Sequence, residues 1–244
     1  ELDAHWRRWE AEPSDKQPIG FILAMEGADP IAEPSQAAEW WDAGLRCVNL
    51  VHYGKGPYAV GTGEEGPLTP RGRELLKEIE KLGIILDATH LSDASFFEVM
   101  DRYSGPVHAS HQNCRALVPG GRQFSDEQIK ILIERGGVLG ACCDAWMLRA
   151  GWKTGVTPRA EVTLAAVADH IERVCDLAGN PSHAAIGSDL DGGFGSEQTP
   201  ADLDSIADLQ KLEGILAARG YGGDAIAAIF HGNWLRFFRE HLPG

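Results

Sequence analysis

Short apolar runs recur along this chain, separated by polar stretches of helix length. Five of the runs end on a residue able to bind a metal or carry a proton. Phe21–Met25 ends at Glu26, Val48–Val51 at His52, Ile84–Thr89 at His90, Val107–Ser110 at His111, and Ala184–Ser188 at Asp189. Continuous apolar runs, rather than alternating ones, mark parallel strands buried on both faces. In a (β/α) barrel the C-terminal ends of such strands converge on the active site. Five endings in Glu, His or Asp would then meet at one place.

Helix punctuation fills the gaps. Ser35 can cap a helix through Ala43, with Gly44 at the stop. Thr69-Pro70 opens a helix that runs to Leu82 and ends at Gly83. Ser92 or Asp93 caps a helix to about Tyr103. Ser125-Asp126-Glu127-Gln128 has capping-box spacing and opens a helix to Arg135. Helices are also predicted over Arg159–Ala178, Leu203–Arg219, Asp224–Phe230 and Asn233–Leu242. The strands are Gln17–Glu26, Cys47–His52, Ile84–Leu91, Pro106–Ser110, Gly137–Cys143 and Ala184–Ser188. Six strands, each followed by a helix or long crossover, predict a parallel sheet. The aromatic loop Asp144–Pro158 follows a strand and would wall the pocket.

The 244 residues, 43% apolar and 24% charged, suit one α/β domain. A formal net charge of -14 argues against nucleic acid or an anionic membrane surface as partner. The five cysteines form no C-x-x-C pair and read as reduced core thiols, which suits a cytoplasmic protein. No apolar run in the sequence as given is long enough to span a membrane, and none reads as a signal peptide. The chain starts at Glu1. Glu1–Glu12 reads as a polar helix with Trp6 and Trp9 on one side, and the true N-terminus is expected upstream.

The candidate chemistry lies at the strand ends. His90 and His111 follow consecutive strands in matching positions, as two ligands of one zinc would. Glu26, in Met25-Glu26-Gly27, is either a metal-bridging carboxylate or half of an ion pair. Asp189, in Gly187-Ser188-Asp189-Leu190-Asp191-Gly192, is a ligand or a proton shuttle. His52 is a ligand or a donor to a substrate carbonyl. Arg122, after a Pro-Gly-Gly turn, is a carboxylate clamp or a solvated loop arginine. His108, three residues before His111, is placed on the opposite face by strand alternation. Asp144 ends a strand with no evident partner. His170, His183, His231 and His241 read as surface or capping residues.

Three of these runs, Ile85-Leu86-Asp87-Ala88-Thr89-His90-Leu91-Ser92, Pro106-Val107-His108-Ala109-Ser110-His111 and Ile186–Gly192, resemble the membrane (renal) dipeptidase family. Those are dinuclear zinc peptidases of the amidohydrolase-like barrel type, and the likeness extends from about Ile19 to Arg236. The resemblance implies a TIM-type (β/α) barrel and hydrolysis of dipeptides by a metal-activated water. It implies that Glu26 bridges two zinc ions, that His90 and His111 complete one site, and that Asp189 ligates the other ion and passes a proton to the leaving amine. His52 resembles the histidine that contacts the tetrahedral intermediate, and Arg122 the arginine that holds the substrate carboxylate. Deacylation or lactam opening on the same metals is the alternative chemistry, and a metal-deficient, non-catalytic remnant is the alternative class. The expected partner is a small dipeptide, with self-association left open.

One departure from the pattern stands out. The family's first strand carries a His-x-Asp pair that serves the second zinc. Here only Asp3-Ala4-His5 comes near it, in the wrong order and on a helix-like segment. The six strands would then be the third to eighth of a single barrel domain spanning 1–244, N-terminally incomplete, with its first two strands missing.

Overall fold

The computed structural model describes residues 1–12, 14 and 16–243. Its strands are β1 (Leu23–Met25), β2 (Leu45–Asn49), β3 (Ile85–Asp87), β4 (Val107–His108), β5 (Leu139–Ala141) and β6 (Ala184–Ile186). β1 to β4 pair in parallel in chain order, as do β5 and β6. A single parallel bridge, Ala109 with Leu139, joins the two sheets. The result is an α/β fold whose six parallel strands run in sequential order around the wall of a (β/α) barrel.

The helices are α1 (Leu2–Ala11), α2 (Ala37–Asp42), α3 (Pro70–Leu82), α4 (Asp93–Arg102), α5 (Asp126–Glu134), α6 (Ala145–Leu148), α7 (Leu164–Ala178), α8 (Lys211–Ala218), α9 (Gly223–Ala227) and α10 (Asn233–His241). Their ends follow the sequence signals. Thr69 accepts the Gly72 N–H, Ser92 that of Ser95, and Ser125 forms a capping box with Gln128. Gly83 and Gly179 close α3 and α7 at φ 74° and 69°, in the left-handed region that glycine enters freely.

Some elements differ from expectation. The helix predicted over Arg159–Ala178 is a 3-10 turn at Arg159–Glu161 followed by α7. The one predicted over Leu203–Arg219 is a 3-10 segment, Ile206–Gln210, followed by α8. The strand predicted over Gln17–Glu26 shortens to β1, and Phe21 is 86% exposed. β1 is an edge strand, with β2 its one partner among the described residues. No helix is long and apolar enough to cross a membrane among the described residues.

Register decides what faces inward. Partners in a parallel ladder point to the same side. Cys47 pairs with Ile85, and both join Val138, Ala185 and Phe237 in a small apolar cluster inside the ring. Two residues further along, Asn49 pairs with Asp87 and Asp87 with His108, which makes a polar layer nearer the strand ends. α10 supplies the aromatic floor. Trp234 Nε1 donates to the Ile186 carbonyl at 3.0 Å, and Trp234 and Phe237 meet the His108 ring edge-on, each 5.5 Å away. The main core lies outside the ring, between strands and helices. All five cysteines are free and buried.

Candidate metal centre

Each strand hands its last inward positions to a loop, and the chemistry begins there. Three side chains converge. Nε2 of His90 is 3.1 Å from Nε2 of His111, and each of the two nitrogens is 3.1 Å from Glu26 Oε1. These atoms form an equilateral triangle and are the one such cluster of possible ligands among the described residues. An ion just off its plane would stand about 2 Å from all three, the length of zinc–imidazole and zinc–carboxylate bonds. The donor set therefore fits a divalent metal.

The neighbours hold both rings in the orientation that ligation needs. His90 Nδ1 lies 2.9 Å from the Thr62 hydroxyl, and His111 Nδ1 lies 2.8 Å from the Ser110 hydroxyl. With Nδ1–H donated outward, Nε2 keeps its lone pair for the centre. Burial pushes the His90 imidazole down to about 3, against the pull of Glu26, so it is neutral at pH 7. The imidazoles of His111 and then His90, both within 3.1 Å, hold the Glu26 carboxyl well below the usual range. Thr62 carries no sequence signal for this role, and the role of Ser110 was hidden beside His111.

The other predicted residues lie around this triangle. His52 is half-exposed, with Nε2 3.9 Å from Glu26 Oε1 and its ring edge-on to His90 at 4.3 Å. Asp189 stays outside the triangle, on a rim shared by two cavities that both include Glu26. Burial raises its carboxyl, His111 lowers it and Glu26 raises it again. Arg122 is 5% exposed, so the solvated-loop alternative does not hold. It donates to the Gln112 side chain and, at 3.0 Å, to the His111 carbonyl, while its Nε finds no partner among the described residues.

The cavity on the His52–Arg122 side measures about 280 Å³. Trp146 and Met147 wall it together with Phe194, so the segment after β5 does line the pocket, through the short helix α6 rather than a loop. Asp144 lines it too and has a partner after all, since Gln198 Nε2 donates to its Oδ1 at 2.8 Å across two loops. On the other side, a space of about 530 Å³ reaches into the ring.

Two further expectations need correction. His108 is buried inside the ring and lines the same cavity as His111, because β4 ends at His108 and strand alternation does not extend to His111. His170 is buried, and its Nδ1 accepts the Cys114 N–H at 3.0 Å. In line with expectation, the Asp3-Ala4-His5 stretch lies on helix α1 and is engaged elsewhere: Asp3 pairs with Arg239, and His5 accepts the Gly20 N–H at 3.2 Å.

Known proteins share this arrangement of chain. The family described as Membrane dipeptidase (Peptidase family M19) matches residues 7–242. An uncharacterised protein of the pqqA 5′ region of Klebsiella pneumoniae is 31% identical over 232 residues, covering 91% of this chain and 82% of its own length. Dipeptidase verJ of Clonostachys rogersoniana is 30% identical over 233 residues, covering 93% of this chain and 56% of its own length. A solved metallo peptidase from Rhodobacter sphaeroides, liganded with a phosphinate mimic of the dipeptide L-Ala-D-Ala, superposes with a TM-score of 0.80 at 26% identity. The match covers 90% of this chain and 63% of that one.

Proposed function

This chain belongs to the membrane dipeptidase family, and on that premise we propose that it is a zinc-dependent hydrolase of dipeptides. The observation that carries the reading is the Glu26–His90–His111 triangle beside a cavity that also holds Arg122, His52 and Asp189. Mixed imidazole and carboxylate donors suit zinc. A second ion, with Glu26 and Asp189 among its ligands, belongs to the same reading. So does the cytoplasmic setting inferred from the reduced thiols.

The bound metal supplies Lewis acidity for the attack of water on a peptide carbonyl. The residues of the chain do the rest. The Arg122 guanidinium anchors the C-terminal carboxylate of the substrate, which favours short peptides. His52, exposed to the cavity, donates to the oxygen on which negative charge develops. Asp189 carries a proton to the departing amine. Trp146, Met147 and Phe194 close off water around the bound peptide.

The test is a substrate panel on zinc-loaded protein, with dipeptides set against N-acyl amino acids and lactams. Dipeptides should turn over fastest, and Glu26→Gln and His90→Ala should lose that activity while keeping their fold by circular dichroism. Full dipeptidase activity in either variant would sink the proposal. A preference for N-acyl amino acids or lactams would move the chain to the alternative chemistry.

A further inference from the structure

Beneath the ligand triangle lies the polar layer of Asn49, Asp87 and His108, which has no part in the reading above. All three are buried, on registered positions of β2, β3 and β4. A buried carboxylate is costly unless its oxygens are satisfied. Asp87 Oδ1 accepts two backbone N–H groups, from Thr89 and from Ser110, each at 3.0 Å. These are the residues immediately before His90 and His111. Its Oδ2 faces His108 Nε2 at 3.6 Å.

Asn49 works on the same turn from the other side. Its Nδ2 donates to the Thr89 carbonyl at 3.1 Å. Thr89 is thus held by its N–H and by its C=O. The next residue, His90, sits at φ 72°, in the left-handed region that side chains other than glycine rarely adopt. Such a conformation persists where the surroundings over-determine it.

We propose that Asp87 and Asn49 are positioning residues that preset the two histidine ligands. One carboxylate oxygen ties the backbones of two strand ends together. The amide locks the left-handed turn that aims His90 at its partner. The spacing of the two Nε2 atoms is then set before an ion arrives, which spares the ion the cost of ordering them. His108 Nε2 stands 3.6 Å from the second Asp87 oxygen, and the aromatic face of α10 holds the ring in place. The inference rests on His90 and His111 being ligands.

Zinc affinity, measured by competition with a chromophoric chelator, tests it without any turnover assay. Asp87→Ala should bind zinc about 10–100-fold more weakly, the usual cost of losing an outer partner of a ligand. Its cobalt-substituted form should show an altered visible band, because the ligand geometry changes. Asp87→Asn keeps an oxygen that can accept both N–H groups and should recover most of the loss. Asn49→Ala should weaken zinc binding in the same direction. A folded Asp87→Ala protein with wild-type zinc affinity and an unchanged cobalt spectrum overturns the proposal, as does an Asp87→Asn protein no better than Asp87→Ala. If Asp87→Ala does not fold, Asn49→Ala decides, and unchanged affinity there overturns it. Wild-type affinity in His90→Ala overturns instead the ligand reading beneath.

Discussion

His90 and His111 turn Nε2 toward Nε2 across 3.1 Å, while Nδ1 of each ring meets a hydroxyl. A neutral imidazole has one N–H. Donating it to Thr62 and to Ser110 leaves two lone pairs facing each other, which repel at this distance. The contact makes sense as a claw around a cation, with Glu26 as its third tooth.

Metal removal follows directly. Treatment with a chelator should abolish dipeptide hydrolysis, and added zinc should restore it. His111→Ala should lower kcat/KM by more than the roughly 10–100-fold typical of an outer partner, and zinc should not rescue it. Metal content by atomic absorption, read beside steady-state rates, checks both.

Arg122→Lys should separate binding from chemistry. Lysine keeps a positive charge but cannot make two parallel bonds to a carboxylate. A lost charged hydrogen bond costs about 1.5–3 kcal/mol, so kcat/KM for free dipeptides should fall at least about tenfold, mainly through KM. Dipeptide amides, which lack the carboxylate, should be nearly indifferent to the change. Equal losses on both substrates would assign Arg122 a purely structural part.

His170 should make the protein acid-sensitive. Burial pushes its imidazole down to about 4 from the usual 6.5. Below pH 6.5 the unfolded chain takes up a proton that the folded chain refuses. The contribution is therefore intact above about pH 6.5 and lost as pH falls toward 4, at about 1.4 kcal/mol for each pH unit crossed. Urea midpoints between pH 7.5 and 4.5 should fall more steeply for wild type than for His170→Gln.

Gly187→Ala should strain the centre from below. A Cβ at Gly187 would stand 1.9 Å from the Ser110 carbonyl oxygen and 2.7 Å from the Gly140 Cα. The backbone has to give, and overpacking of this kind costs about 1–3 kcal/mol. Ser110 precedes His111, so zinc affinity should drop together with the thermal midpoint. A variant that loses stability but keeps its zinc affinity would show that the strain dissipates before it reaches the ligand.

The strand ends made the centre readable. Glu26, His90 and His111 each terminate an apolar run, and sequential parallel pairing brings such ends together. Caps at Thr69, Ser92 and Ser125 were legible because they are local. The misses have physical causes as well. His108 was misplaced by extending strand alternation past the end of β4, into irregular backbone. His170 was taken for a surface residue, although it shares the inward face of α7 with Val167, Ile171 and Val174. Thr62 lies far from His90 in the chain, and no local pattern announces a hydroxyl that will meet a ring nitrogen. Asp87 gave the subtlest sign, a lone charge inside an otherwise apolar run.

The Asp144–Gln198 bond clasps two loops over the cavity, and neither loop supplies an atom to the Glu26–His90–His111 triangle. Tool and handle are thus separate parts. Substitutions at Trp146, Phe194 or Gln198 can reshape what the cavity admits while the three atoms of the triangle stay where they are. Diversification of this scaffold has an open route there, one that leaves the three atoms of the triangle untouched.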